Sequence, residues 1–281
     1  MPIEIRHNTA ELHAETLGFA GGERHVQLDV EAFKALAPAP QLTVRARLTT
    51  SDEILDLMLT LDAITRLVPK ARFDLELPYL PYARQDRVCA PGQAFSLELF
   101  ANLLKALPNL GEIITWDCHS PVGIELTGAR NISPEILIRR DDELTTLIQA
   151  KTSVLVCPDK GAIERTRKIA EALGETEIAF ASKVRNPITG RIERTEIDDT
   201  PLAGRTAVIV DDICDGGFTF LELARALREA GADRVVLYVT HGIFSRGLDA
   251  FDGLIDKFFT TDSFARTDDA RVKTISYRHA F

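Results

Sequence analysis

The sequence predicts an α/β protein of two units, each a mostly parallel sheet flanked by helices. Short runs rich in β-branched residues, such as Val208-Ile209-Val210, alternate along the chain with stretches of helical period such as Leu221 to Arg228. That alternation is the mark of parallel strands joined by crossover helices. Several of the runs end in loops with Asp, His, Lys or Arg at their tips. No linker, repeat or low-complexity run breaks the pattern, and the first unit is expected to span 1–146 and the second 147–281.

In the first unit Phe19-Ala20-Gly21-Gly22-Glu23 reads as a turn feeding a strand over His25 to Val30. Leu42 to Leu48 alternates as a second strand. Ser51-Asp52-Glu53 then opens a helix whose apolar positions Ile54, Leu55, Met58, Leu59, Leu61 and Ile64 should pack on a sheet. Phe73 to Leu77 forms a strand that runs into Pro78 to Arg87, where two prolines break regular structure and polar groups crowd. A helix over Phe95 to Leu104 and a strand over Glu112 to Trp116 follow, the strand ending at Asp117-Cys118-His119-Ser120.

The second unit repeats the scheme with a strand Ser153 to Cys157, a loop Pro158-Asp159-Lys160-Gly161, a helix Ala162 to Leu173 and a strand Ile178 to Phe180. Ser182 to Arg194 carries Lys183, Arg185, Arg191 and Arg194 with Pro187 and Gly190, a poor helix or strand and so a predicted mobile loop. Val208 to Val210 reads as a buried strand ending at Asp211 and Asp212. Asp215-Gly216-Gly217-Phe218-Thr219 would then present backbone amides to an anion at a helix N-terminus. Ligands of open α/β sheets bind beyond the carboxyl ends of strands, so a phosphorylated substrate is expected there. The alternative is an ordinary strand-turn-helix joint built with Asp and Gly. Arg234 to Thr240 is a last strand, ending at His241-Gly242.

With 281 residues, 45% hydrophobic and 27% charged, the chain is long enough for a sizeable core, and its net charge of −9 argues against broad nucleic-acid binding. No apolar run approaches the roughly 20 residues of a membrane span. Met1 to Arg6 lacks the pattern of a signal peptide, so the cytoplasm is the expected location, with small molecules rather than membranes or nucleic acids as partners. Cys89, Cys118, Cys157 and Cys214 form no C-x-x-C pair and read as reduced, packed thiols.

Taken together, four of these loops resemble the ribose-phosphate diphosphokinases, also called phosphoribosyl-diphosphate synthetases. Tyr82 to Arg87 is similar to that family's ATP loop, Asp117-Cys118-His119-Ser120 to its D-x-H segment, Pro158-Asp159-Lys160-Gly161 to its P-D-x-G segment, and Asp211, Asp212, Asp215 and Thr219 to its ribose-phosphate loop. The resemblance implies two phosphoribosyltransferase-like halves and a homo-oligomer built from dimers, hexameric in typical members. It also implies transfer of a diphosphoryl group from Mg²⁺-bound ATP to the anomeric hydroxyl of a 5-phosphorylated ribose. Lys183 and Arg185 match the family's mobile catalytic loop, and His119 would act beside them. His119 and Asp159 would sit near Mg²⁺ and the ATP phosphates. Arg84 and Gln85 would contact ATP, as would Arg87, Asp86 would brace the loop, and Phe19 and Glu23 would face the adenine bound by a neighbouring subunit. Asp211 and Asp212 would bind the ribose hydroxyls, and Asp215, Gly216, Gly217, Phe218 and Thr219 the acceptor's phosphate.

The sequence departs from the family pattern in three places. The turn at Phe19 comes early, as if the N-terminal half were trimmed, and Gly21 replaces an aspartate that reaches adenine. In the ribose-phosphate loop the usual D-T-x-G-T is Asp215-Gly216-Gly217-Phe218-Thr219, without the hydroxyl at 216 and with a ring where glycine is usual. Either the loop still cradles ribose 5-phosphate, or it admits a ribose with a larger 5-substituent such as ADP-ribose. The rivals are a non-catalytic regulatory homologue and a true phosphoribosyltransferase.

Overall fold

The computed structural model describes residues 3–185, 192–264 and 267–278, with backbone alone for 183–185 and 192–194. The chain divides into two compact units, Met1–Ile132 and Ser133–Phe281.

The first unit runs β1 (Ile3–His7), β2 (Ala10–Leu12), β3 (Ala14–Gly18), β4 (Arg24–Leu28), α1 (Val30–Lys34), β5 (Gln41–Ala46), α2 (Ser51–Leu67), β6 (Arg72–Leu77), α3 (Ser96–Lys105), β7 (Leu110–Trp116), α4 (Pro121–Thr127) and β8 (Arg130–Ile132). Its sheet has the order β2-β1-β5-β6-β7-β8, parallel from β5 to β8 and antiparallel at β1 and β2, while β3 and β4 form a separate hairpin. Helix α2 begins with a reciprocal capping box: the Glu53 amide donates to Thr50 Oγ1 at 3.3 Å and the Thr50 amide to Glu53 Oε2 at 3.0 Å. From there Leu57, Leu61 and Ile64 recur at helical spacing and bury against Leu42, Val44, Phe73 and Leu75 of the sheet. Arg45 and Glu76 face each other across β5 and β6, both almost fully buried, at 2.8 and 3.0 Å. Trp116 Nε1 donates to the same carboxylate at 3.1 Å, so the buried charge is paired and hydrogen-bonded as its burial requires.

The second unit runs α5 (Pro134–Ile138), α6 (Asp142–Gln149), β9 (Ser153–Cys157), a 3₁₀ turn (Lys160–Ala162), α7 (Ile163–Leu173), β10 (Ile178–Arg185), β11 (Ile192–Ile197), β12 (Thr206–Cys214), α8 (Phe218–Glu229), β13 (Arg234–Gly242), β14 (Lys257–Thr261) and β15 (Val272–Ile275). The strand order is β11-β10-β9-β12-β13-β14-β15, parallel except for β11. Alternate residues of β12 face opposite layers. Ala207 and Ile209 bury with Leu223 and Leu227 of α8, whereas Val208 and Val210 bury with Ile169 and Leu173 of α7. Both faces are covered, which is why these strands read as continuous apolar runs.

Three expectations need correction. The units divide after Ile132 and not after Thr146, because Ile138 of α5 and Leu144 and Ile148 of α6 pack in the cluster that holds Leu155 and Val208. The segment from Ser182 is no irregular loop at its ends: β10 continues to Arg185 and pairs antiparallel with β11, from Ala181 opposite Ile197 to Arg185 opposite Ile192. Pro187, Gly190 and Arg191 lie outside the described residues, as do the side chains of Lys183, Arg185 and Arg194. Finally, β12 does not stop at Val210. It pairs with β13 as far as Cys214 opposite Gly242, while its pairing with β9 ends at Ile209 opposite Val156.

Candidate active site

That uneven pairing creates the feature around which the second unit's site is built. The chain goes from β9 outward to β10, then returns to the other side of β9 as β12 and continues outward to β13. The order reverses between β9 and β12, and at such a switch point the loops leave in opposite directions and open a crevice beyond the strand ends. Asp159 follows β9 on one side of it, and Asp211 and Asp212 line the other on the part of β12 that has outrun β9.

Arg165, in the first turn of α7, joins the two sides. Its Nη1 lies 3.2 Å from Asp211 Oδ1 and its Nη2 3.5 Å from Asp212 Oδ2, with all three side chains at most 17% exposed. The Asp212 amide donates to Asp211 Oδ1 at 2.9 Å. Burial, then the Asp212 charge, push the Asp211 carboxyl well above the ordinary carboxylate range, with Arg165 pulling the other way. Asp159 caps its own turn, its Oδ1 accepting from the Gly161 amide at 3.0 Å. Two thiols border the site as packing groups: burial raises Cys157 and pushes Cys214 up to about 12.

Beyond β12 the loop turns on Gly217, left-handed at φ 77°, and α8 starts at Phe218. A Cβ at Gly217 would meet Phe251 Cζ at 2.5 Å, so both the backbone angle and the space demand glycine. Phe218 is 65% exposed. Asp215 is held from β13's following turn, its Oδ1 accepting from Ser245 Oγ at 2.6 Å and its carbonyl from the Ser245 amide at 3.2 Å.

In the first unit the polar loop after β6 is held by its own turn, with Gln85 N donating to Tyr82 O at 2.8 Å and the Tyr82 ring, at φ 63°, packed 5.8 Å from Phe100. Arg84, Gln85, Asp86 and Arg87 line a cavity of about 380 Å³ together with Gln93 and Ser96. Asp86 receives both arms of Arg87 at 2.7 and 2.8 Å and Ser120 Oγ at 2.7 Å. Those donors hold its carboxyl well below the usual range, so it is an anion that braces the loop. Ser120 also caps α4 by accepting from the Val122 amide at 3.2 Å, and this joins the Asp117 to Ser120 segment to the loop. His119 is exposed beside it and does not line the cavity. Phe19 and Glu23 also lie outside that lining, closing the tip of the β3–β4 hairpin with a 2.9 Å bond from Phe19 N to Glu23 O, the Phe19 ring 6.1 Å from His25.

The structure thus gathers Arg84 to Arg87 in one unit and Asp159, Asp211, Asp212 and Asp215 to Thr219 in the other. Sequence reasoning placed Arg165 in the helix after the P-D-x-G segment and Ser120 in the D-x-H segment without assigning either a role, and it did not single out Ser245. Arg165 did carry a signal: a cation in a helix's first turn opposes the helix dipole, so it needs a local reason to be there.

Comparison with known proteins follows the same division. Residues 134–258 match the phosphoribosyl transferase domain. A ribose-phosphate pyrophosphokinase of Pyrococcus furiosus is 30% identical over 92% of this chain and 89% of its own length. Another, from Maricaulis maris, is 34% identical over 85% and 74%. The crystal structure of a phosphoribosylpyrophosphate synthetase from Mycobacterium smegmatis superposes with a TM-score of 0.78 at 23% identity, covering 95% of this chain and 87% of that one.

Proposed function

The chain belongs to the ribose-phosphate pyrophosphokinase family of diphosphotransferases, and on that premise we propose that it transfers the β,γ-diphosphoryl group of ATP to the anomeric hydroxyl of a 5-phosphorylated ribose. The observation that carries this reading is the pair Asp211 and Asp212, braced by Arg165 at the switch point and followed by the loop that turns on Gly217 into helix α8. The anomeric oxygen attacks the β-phosphorus and releases its proton to solvent, and the bond from that phosphorus to the bridging oxygen of the α-phosphate breaks. AMP leaves with that oxygen. Asp211 and Asp212 accept hydrogen bonds from the ribose hydroxyls, and Arg165 holds the pair in place while offsetting part of the burial and mutual repulsion that raise Asp211. Asp215 to Thr219 hold the acceptor's phosphate. Arg84, Gln85 and Arg87 contact ATP from a loop that Asp86 holds still, and Phe19 and Glu23 reach the adenine held by a neighbouring subunit. Lys183 and Arg185 act on the charge that develops in the transition state, with His119 beside the phosphates.

Among the described residues no group of three or more His, Cys, Asp or Glu is placed to hold a metal. This fits Mg²⁺ brought in on ATP, which needs only one or two protein ligands besides phosphate and water. Asp159 offers the hard oxygen such an ion takes, and Asp159 and His119 are the residues that would hold it. When bound, Mg²⁺ neutralises phosphate charge. The protein works as a homo-oligomer in this reading.

Phe218 favours a second form of the acceptor. A ring 65% exposed at the mouth of the loop offers a stacking face that a free ribose 5-phosphate has no use for, whereas ADP-ribose carries a nucleotide to place on it. The protein is incubated with Mg-ATP and either ribose 5-phosphate or ADP-ribose, following AMP release and product mass. AMP together with an acceptor heavier by one diphosphate is expected, and the faster acceptor identifies the substrate. No AMP with either acceptor would favour the regulatory homologue. Diphosphate released from phosphoribosyl diphosphate by a purine base would favour the phosphoribosyltransferase.

A further inference from the structure

Arg246 lies in the turn after β13, between Phe244 and Gly247, whose amide bonds back to the Phe244 carbonyl at 2.9 Å. The turn folds over the acceptor loop. Arg246 Nε and Cδ stand 3.5 and 3.6 Å from the point where a Cβ on Gly216 would lie. The neighbouring Ser245 fixes this placement through its two bonds to Asp215. Arg246 is exposed, and among the described residues it makes no ion pair or hydrogen bond. A guanidinium held across a loop without a carboxylate partner, in a chain of net charge −9, has an anion as its natural complement. Gly216, just beneath it, leaves room for the arginine stem and supplies no hydroxyl of its own.

We propose that Arg246 binds the acceptor's 5-phosphate, taking the place of the hydroxyl missing at Gly216, and that it helps decide which acceptor is used. The proposal rests on the acceptor reading of the Asp215 to Thr219 loop. A guanidinium from outside the loop reaches the phosphate's flank and leaves the loop's open end, where Phe218 stands, free for a further substituent. It serves a phosphomonoester or a phosphodiester alike, because its two parallel N–H groups need only two adjacent oxygens.

The test uses the full chain, native, Arg246→Met and Arg246→Lys. In steady-state assays the Met variant should raise KM for the preferred acceptor at least about tenfold, the scale of one charge-assisted hydrogen bond lost, with KM for ATP and kcat within about twofold. The Lys variant should recover part of the loss. Calorimetric titration of ribose 5-phosphate, ADP-ribose and inorganic phosphate into native and Met proteins gives the same comparison without turnover. Equal losses for the two ribose ligands would place Arg246 on the phosphate they share, and a larger loss for one identifies the source it selects. Unchanged acceptor affinity in the Met variant would overturn the inference while leaving the diphosphokinase reading intact. Absence of turnover with both acceptors in the native protein would overturn that reading, and the calorimetric comparison would still decide for or against Arg246.

Discussion

Asp211 keeps its proton to higher pH in the folded chain than in the unfolded one, through burial and the Asp212 charge. The folded state therefore binds more protons between the ordinary carboxylate value and the raised one, and stability falls as pH rises through that window. Asp211→Asn removes this cost. It should raise the melting temperature of the second unit by about 2–4 °C at neutral pH, the effect of roughly 1 kcal/mol, with the gain lost as pH falls into the ordinary carboxylate range, where Asp211 is protonated folded and unfolded alike. Calorimetry should show weakened acceptor binding in the same variant with ATP binding retained. The two loop glycines should behave oppositely. Gly217→Ala forces a Cβ into Phe251 at a left-handed angle and should lower both the thermal midpoint and acceptor affinity, by about 1–3 kcal/mol of stability. At Gly216 a Cβ would make only ordinary contact, with the flexible Arg246 side chain, so the double variant Gly216→Thr with Phe218→Gly is expected to fold and tests acceptor choice. In competition, that variant should shift use toward ribose 5-phosphate if the native protein prefers ADP-ribose.

The β10–β11 hairpin carries the backbone of Lys183 and Arg185 at the edge of the seven-stranded sheet. Replacing either by Ala should lower kcat by about 10²-fold or more with ATP affinity little changed, because the role proposed for them lies in the transition state. Near-native turnover in both variants would refute it. How well each element could be read from sequence follows from its surroundings. Strands buried on both faces, such as Ser153 to Cys157, announce themselves as apolar runs, and α2 announces itself through its cap and period. The hairpin could not be read, because an edge pair full of Lys, Arg and Glu shows neither an apolar run nor clean alternation, and only the pairing of Ala181 with Ile197 reveals it. The same limit hides the site's long-range contacts. Arg165 and Asp211 are 46 positions apart and Gly216 and Arg246 thirty, so no local pattern shows that a helix start or a strand-end turn reaches the loop.

The two units have separate cores, one around Leu42, Phe73 and Phe100 and the other on both faces of β12. A fragment of residues 133–281 should therefore unfold cooperatively on its own and bind acceptor by calorimetry, while releasing no AMP from ATP. A fragment that melts without a transition would show that the second core needs the first. The crevice between β9 and β12 has a further consequence for how this chain can change. The turns proposed to grip the acceptor, 215–219 and 243–247, hang from the sheet, whereas Asp211 and Asp212, the carboxylates proposed to bind ribose, are built into the strand itself. On that proposal, substrate preference can drift through point changes in the turns while the groups in the strand ends are inherited unaltered.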